Sequence, residues 1–218
     1  MPALKLVIGN KNYSSWSMRP WLALRANDIP FDEVFIPLYT DDPADKDRIL
    51  SFSLAGKVPT LVDGDVSVWD SLAIIEYLAE KFPEKKLWPE DPASRAHARS
   101  ISAEMHSGFA ALRNECGMNL HRPIRAVALS DDARTNVARI QQIWSECHQR
   151  YGGPFLFGAF GAADAMYAPV VHRFRTYAIE VAPGARHYFD AMLSQPAFQQ
   201  WTRDGLAETL IIERMEAL

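Results

Sequence analysis

Between Phe82 and Pro92 the chain carries Pro83, Pro89 and Pro92 among charged residues, and the hydrophobic pattern changes period across that stretch. Proline fixes φ and has no N–H to donate, so a run of this kind separates folding units and does not extend one. Before it, Leu4-Lys5-Leu6-Val7-Ile8 is β-prone and stops at Gly9-Asn10, and Trp21 to Ala26 has helical character. Asn27-Asp28-Ile29-Pro30 breaks that helix, and residues 31–37 form a second strand, parallel to the first because a helix connects them. Residues 41–53 are polar and expected to be irregular with some helix. Val58-Pro59-Thr60-Leu61-Val62, Asp63-Gly64 and Val66-Ser67-Val68-Trp69 make two β runs around an Asp-Gly, a hairpin signal. Residues 71–82 carry Leu72, Ile75, Leu78 and Ala79 at helical spacing, with Asp70 or Ser71 placed as the cap. The order is βαβ, a connection, then ββα. After the prolines the pattern is helical over residues 95–119, 131–151, 163–178, 183–193 and 198–213. The expected fold is therefore α/β followed by all-α: a sheet domain over 1–82, a linker over 83–92 and a helical bundle over 93–218.

Composition narrows the function classes. A chain of 218 residues is long enough for a core without disulfide staples, and Cys116 and Cys147 sit in no CxxC or Cys/His ligand spacing. No metal site is expected, and a reducing, cytoplasmic setting is. The first apolar run is too short for a signal sequence, and nowhere do about 18 apolar residues follow one another, so no membrane partner is expected. Lys and Arg number 23 against 27 Asp and Glu, a net charge of −4, which gives no global attraction to nucleic acid.

Three segments carry a family resemblance: Asn12-Tyr13-Ser14-Ser15-Trp16-Ser17-Met18-Arg19-Pro20-Trp21, Lys57-Val58-Pro59-Thr60-Leu61-Val62 and Asp70-Ser71-Leu72-Ala73-Ile74-Ile75-Glu76-Tyr77-Leu78. In this order they resemble the glutathione-site segments of soluble glutathione S-transferases, and Ala163-Asp164 with Pro169 is similar to the family's helical-domain segment. The serine cluster is most similar to the serine-using zeta class, with Trp16 where that class has cysteine. The resemblance implies a thioredoxin-like N-terminal domain, glutathione as cosubstrate, no metal and a homodimer.

The resemblance also gives residue roles. Ser14-x-x-Ser17 stands where redox relatives carry Cys-x-x-Cys; without a thiolate of its own the site is not expected to exchange disulfides. A serine hydroxyl can instead donate to the thiolate of bound glutathione. Lowering a thiol pKa by about two units needs about 2.7 kcal/mol. A hydrogen bond to a charged acceptor supplies roughly 1.5–3 kcal/mol and a helix N-terminus roughly 0.3–1. Ser14 is the implied donor, Ser15 its rival and Ser17 a capping residue, although a serine cluster before a helix also serves simply as an N-cap. Val58-Pro59 matches the family's cis-proline, with the Val58 backbone pairing to the peptide. Ser71 at a helix N-terminus suits the γ-glutamyl carboxylate, Asp70 its ammonium and Lys57 the glycyl carboxylate.

On the electrophile side Trp16 is a wall candidate, and Met105, Phe109 and Arg113 fall at i, i+4 and i+8 of one expected helix, a stripe that equally suits a core. His172, Arg173 and Arg175 are candidates for an acidic substrate, while the position of the zeta-class anion-binding arginine, counted from Asp164, falls on Thr176. Asp164 is expected to be a buried capping group opposite Gly161, which offers no side chain in return. The expected function is a glutathione transferase acting on a small electrophile. The alternatives are a zeta-like cis–trans isomerase of a maleyl-type diacid and a non-catalytic binding protein of the same fold.

Overall fold

A computed structural model describes residues Leu4–Glu216. Strand β1 (Leu4–Ile8) leads through a tight turn to helix α1 (Ser15–Ala26), then β2 (Phe31–Phe35), α2 (Pro43–Phe52), the hairpin β3 (Thr60–Asp63) and β4 (Val66–Trp69), and α3 (Ser71–Lys81). The sheet order is β2-β1-β3-β4, with β1 parallel to β2 and antiparallel to β3. This is the expected βαβ followed by ββα. The connection 41–53 is more regular than expected: Asp42 caps α2 by accepting from Ala44 N, and Pro43 occupies the first turn, where its missing N–H costs nothing. The second strand is shorter than expected and stops at Phe35.

Past a 3₁₀ turn (Pro83–Lys85), the proline-rich stretch packs Leu87 and Trp88 into the core, and Pro92 opens α4 (Pro92–Ser107) behind an Asp91 cap. Then follow α5 (Ala110–Glu115), α6 (Asp131–Tyr151), α7 (Ala162–Thr176), α8 (Pro183–Ser194), α9 (Pro196–Ala207) and α10 (Glu213–Glu216). The single helix expected over 95–119 is broken at Gly108 and Phe109. A Cβ on Gly108 would lie 2.7 Å from the Glu104 carbonyl, and Phe109 is left-handed at φ +58°. Arg113 turns back and donates to the carbonyls of Met105, His106 and Gly108, satisfying acceptors that the end of α4 leaves open. The stretch expected to be one helix over 198–213 likewise divides between α9 and α10.

Helices α1 and α7 lie at the middle of the molecule and pack against each other, with α1 also touching α3 and α9. From Ser17 to Leu24 every residue of α1 is buried, and α7 is buried from Ala162 through Phe174. A helix covered on all sides needs no polar face. The alanines at 162, 163, 165 and 168 leave room for close approach, and one continuous apolar core runs from the sheet to α9. Asp164, at 1% exposure, accepts from Gly161 N at 2.8 Å and Leu156 N at 3.0 Å, the half-box expected from the glycine cap. Burial pushes its carboxyl up to about 7 against those two donors. Among the described residues no helix is long and apolar enough to cross a membrane.

Candidate active site

A cleft of about 930 Å³ opens along one edge of the sheet unit. One wall is Leu38, Tyr39 and α2; the other is the hairpin and the start of α3, with Lys57, Val58, Pro59, Trp69, Asp70 and Ser71, and Trp16 stands at its margin. The Val58–Pro59 peptide bond is cis. Asp70 caps α3, its Oδ1 accepting from Leu72 N at 2.9 Å and Ala73 N at 3.3 Å. It does so at φ +76°, a left-handed conformation that costs a non-glycine residue about 1–3 kcal/mol and recurs at ligand clamps. Ser71 is buried beside it at the helix N-terminus. Lys57 is exposed on the rim. All five residues expected to hold glutathione therefore line one cleft.

The serine turn lies behind Trp16. Ser14 caps α1: its Oγ accepts from Ser17 N at 3.2 Å and donates to Ser17 Oγ at 2.8 Å, while Ser17 Oγ accepts from Gly9 N. The capping role expected of Ser17 thus belongs to Ser14, because the chain enters the helix one residue after it. Ser14 is 6% exposed, and Ser15 is half-buried with no side-chain hydrogen bond among the described residues. Neither serine is part of the cleft lining.

Two arginines from distant parts of the chain meet at Trp16, and a third lies near them. Arg19, 3% exposed, places its guanidinium 4.4 Å from the centre of the indole and donates to Ser71 Oγ at 3.3 Å. Arg113 lies 5.4 Å from the same ring. Arg173, buried on α7, donates to the Cys116 carbonyl. Burial and the repulsion of Arg113 and Arg173 lower Arg19 to about 9, with Asp70 the carboxylate acting in the opposite direction. Burial also lowers Arg113, and burial followed by Arg113 lowers Arg173 to about 10. The Nε atoms of Arg19 and Arg113 are buried without hydrogen-bond partners. The hydrogen-bond partners the two guanidinium groups do have are neutral oxygens, the Ser71 hydroxyl and the carbonyls of Met105, His106 and Gly108, so among the described residues no carboxylate pairs directly with either charge. His106 closes the set, with its edge toward Trp16 and Nε2 3.2 Å from Asp70 Oδ2.

The expected electrophile stripe does not form. Met105 and Phe109 are core residues outside the cleft, since the break at Gly108–Phe109 removes the common helical face, and only Arg113 turns toward Trp16. Of the basic residues on α7, Arg173 joins the cluster; His172 is buried against Phe198 and Thr202, and Arg175 is exposed. The sequence reasoning passed over Arg19 and His106 as site residues. The available signal was an arginine five residues beyond Ser14 inside an otherwise apolar helix.

The thioredoxin-like sheet unit, cis-proline, capped α3 and helical second half define a glutathione-handling class. Family models agree over most of the chain: residues 13–81 match the glutathione S-transferase N-terminal domain and residues 94–191 the C-terminal domain. The chain belongs to the glutathione S-transferase family. A probable maleylacetoacetate isomerase of Caenorhabditis elegans is 41% identical over 102 residues, a match covering 46% of each chain and thus under half of that relative's length. The maleylacetoacetate isomerase of Rattus norvegicus is 28% identical across 91% of this chain and 93% of its own. The solved holo structure of a zeta-class bacterial maleyl pyruvate isomerase superposes with a TM-score of 0.70 at 22% identity, covering 94% of this chain and 98% of that one.

Proposed function

We propose that this protein uses glutathione to isomerise a small unsaturated diacid of the maleyl type. The observation that carries the reading is the arginine set beside the cleft, Arg19 buried and Arg113 half-buried, with no carboxylate paired to either among the described residues. An aryl halide or a peroxide offers nothing to two partly or fully desolvated cations, whereas a carboxylate supplies the opposite charge. The name of the Rattus norvegicus relative, matched over 93% of its length, supports the same choice over general conjugation.

Glutathione lies in the cleft with its γ-glutamyl carboxylate at Ser71 and the α3 N-terminus, its ammonium at Asp70, its peptide on the Val58 backbone before Pro59, and its glycyl carboxylate toward Lys57. Arg19 donates to Ser71 Oγ, so the Ser71 proton is free to point at the ligand. Ser14 donates to the sulfur: its oxygen keeps the Ser17 N–H, and its proton turns from Ser17 Oγ to the thiolate. The thiolate adds to one alkene carbon and the electron pair moves to the adjoining carbonyl as an enolate, held by the arginines. The former double bond rotates, and the enolate collapses to expel the thiolate and restore the alkene in the trans form. No atom is gained or lost. Homodimerisation and a cytoplasmic setting belong to this reading by family resemblance.

The test is a substrate panel of a maleyl diacid, an aryl halide and an organic peroxide, with glutathione present. Isomerisation of the diacid, reduced at least tenfold by Arg113→Gln, is the expected result. Turnover of the halide but not the diacid would return the protein to general conjugation, and binding of glutathione without any turnover to a binding role. Thiolate absorbance against pH identifies the donor: Ser14→Ala should raise the bound thiol's pKa, and a rise confined to Ser15→Ala would assign it to Ser15.

A further inference from the structure

The turn that carries the serines is held from the opposite half of the molecule. Within it, the Asn10 carbonyl accepts from Tyr13 N at 3.2 Å and Ser14 N at 2.8 Å, so the start of α1 hangs on residues 10–13. The outward N–H groups of that turn belong to Lys11 and Asn12. Both donate to one carboxylate: Lys11 N to Glu208 Oε1 at 2.6 Å and Asn12 N to Glu208 Oε2 at 3.1 Å. Around this fork, Trp201 Nε1 donates to the Lys11 carbonyl at 3.1 Å, and Lys11 Nζ pairs with Asp204 at 2.8 Å and Glu33 at 2.9 Å. The α9 backbone abuts the turn at Gly205, where a Cβ would come within 3.2 Å of the Lys11 carbonyl carbon. On the other flank, Asn12 Oδ1 accepts from Leu120 N at 2.6 Å and His121 N at 3.1 Å.

Glu208 is the C-cap of α9. A carboxylate is unfavourable there, because the helix dipole places partial negative charge at that end. Helix stability therefore does not account for the residue, whereas the two N–H groups it receives do. A two-point fork also fixes orientation, which a single hydrogen bond does not.

We propose that Glu208 is a positioning residue for thiol activation: its forked carboxylate sets the turn that places the Ser14 and Ser15 hydroxyls against the glutathione sulfur. The inference rests on the serine reading above, and makes the pKa of the bound thiol depend on a helix from the far half of the chain. Shortening or removing the carboxylate lets the turn relax away from the sulfur. It leaves Lys57, Val58, Pro59, Asp70 and Ser71 untouched, so the thiol pKa and glutathione affinity should part company.

The experiment measures thiolate absorbance of bound glutathione against pH, glutathione affinity and the melting temperature for Glu208→Ala, Glu208→Gln and Glu208→Asp beside Ser14→Ala and Ser15→Ala. Glu208→Ala is expected to raise the thiol pKa by about one unit, about a threefold loss of thiolate at pH 7 for a thiol lowered by about two units in the unaltered protein, with glutathione affinity within twofold. Glu208→Gln, which keeps one acceptor and sets an NH2 donor against the second backbone N–H, should raise the pKa in the same direction, by no more than Glu208→Ala does. A merely structural role would lower the melting temperature of Glu208→Ala and leave the pKa where it was. An unmoved pKa in folded Glu208→Ala, while a serine variant raises it, overturns the positioning role and leaves the serine reading standing. If neither serine variant moves the pKa, the serine reading fails and this inference with it. Should Glu208→Ala not fold, Glu208→Asp decides: a carboxylate drawn back by one methylene must raise the pKa, and an unchanged value overturns the proposal.

Discussion

Asp70 caps a helix through N–H groups two and three residues further on, whereas Arg19 from α1 and Arg113 from α5 meet at one indole ring, with Arg173 of α7 close enough to repel both. The first arrangement is assembled by a single turn of chain. The second exists only because α1 and α7 pack together and because α4 breaks where it does. A site built locally tolerates change elsewhere in the molecule, and one built by convergence depends on every element that brings its members together. The sheet-side cleft and the arginine side should therefore respond differently to substitution, and they are joined where Arg19 Nη1 meets Ser71 Oγ and where His106 Nε2 meets Asp70 Oδ2.

The strongest test of that division is its junction. Arg19→Gln should lower kcat/KM for the maleyl diacid about 100-fold, the order expected for one or two hydrogen bonds to a charged group, and should also weaken glutathione. A loss confined to one ligand would place Arg19 on one side only. Ser71→Ala should weaken glutathione about tenfold, with the diacid KM within twofold, as binding isotherms and initial rates at saturating glutathione would report.

The helical half is also expected to govern acid stability. His172 is fully buried, and burial, then Arg175 and Arg173, hold its pKa down to about 3. A histidine depressed in the folded state contributes stability that is complete above its unfolded value near 6.5 and is lost as pH falls toward about 3. Melting temperatures from pH 7 to 4 should fall less steeply for His172→Gln than for the unaltered chain; parallel curves would remove His172 from the account. The smallest effect is assigned to Lys57→Gln: an exposed cation on the rim should change glutathione affinity less than threefold at physiological salt, measured by titration.

What could be read in the sequence follows the same line. Asp63-Gly64 between two β runs marks the hairpin, and the acid before Ser71 marks the α3 cap, because both depend on hydrogen bonds among residues two to four apart. The stripe of Met105, Phe109 and Arg113 was not legible as it folds. Helical spacing through Gly108 is a local regularity, and the left-handed Phe109 with three carbonyls satisfied by Arg113 overrides it. Ser17 was given the cap that Ser14 makes, an error of one turn entry and not of chemistry.

Residue order alone determined the parallel crossover, the hairpin and the Asp70 cap of α3, since each depends on residues near one another in sequence, and it showed serine where redox relatives carry cysteine. Only the tertiary structure decided that Arg19 is buried near two other arginines, that Trp16 lies against Arg19 and Arg113, and that Glu208, nearly two hundred residues away, accepts from the turn before the serines. The physical reason is that a charge's burial and its partners depend on what the rest of the chain lays over it. No window of neighbouring residues contains that information.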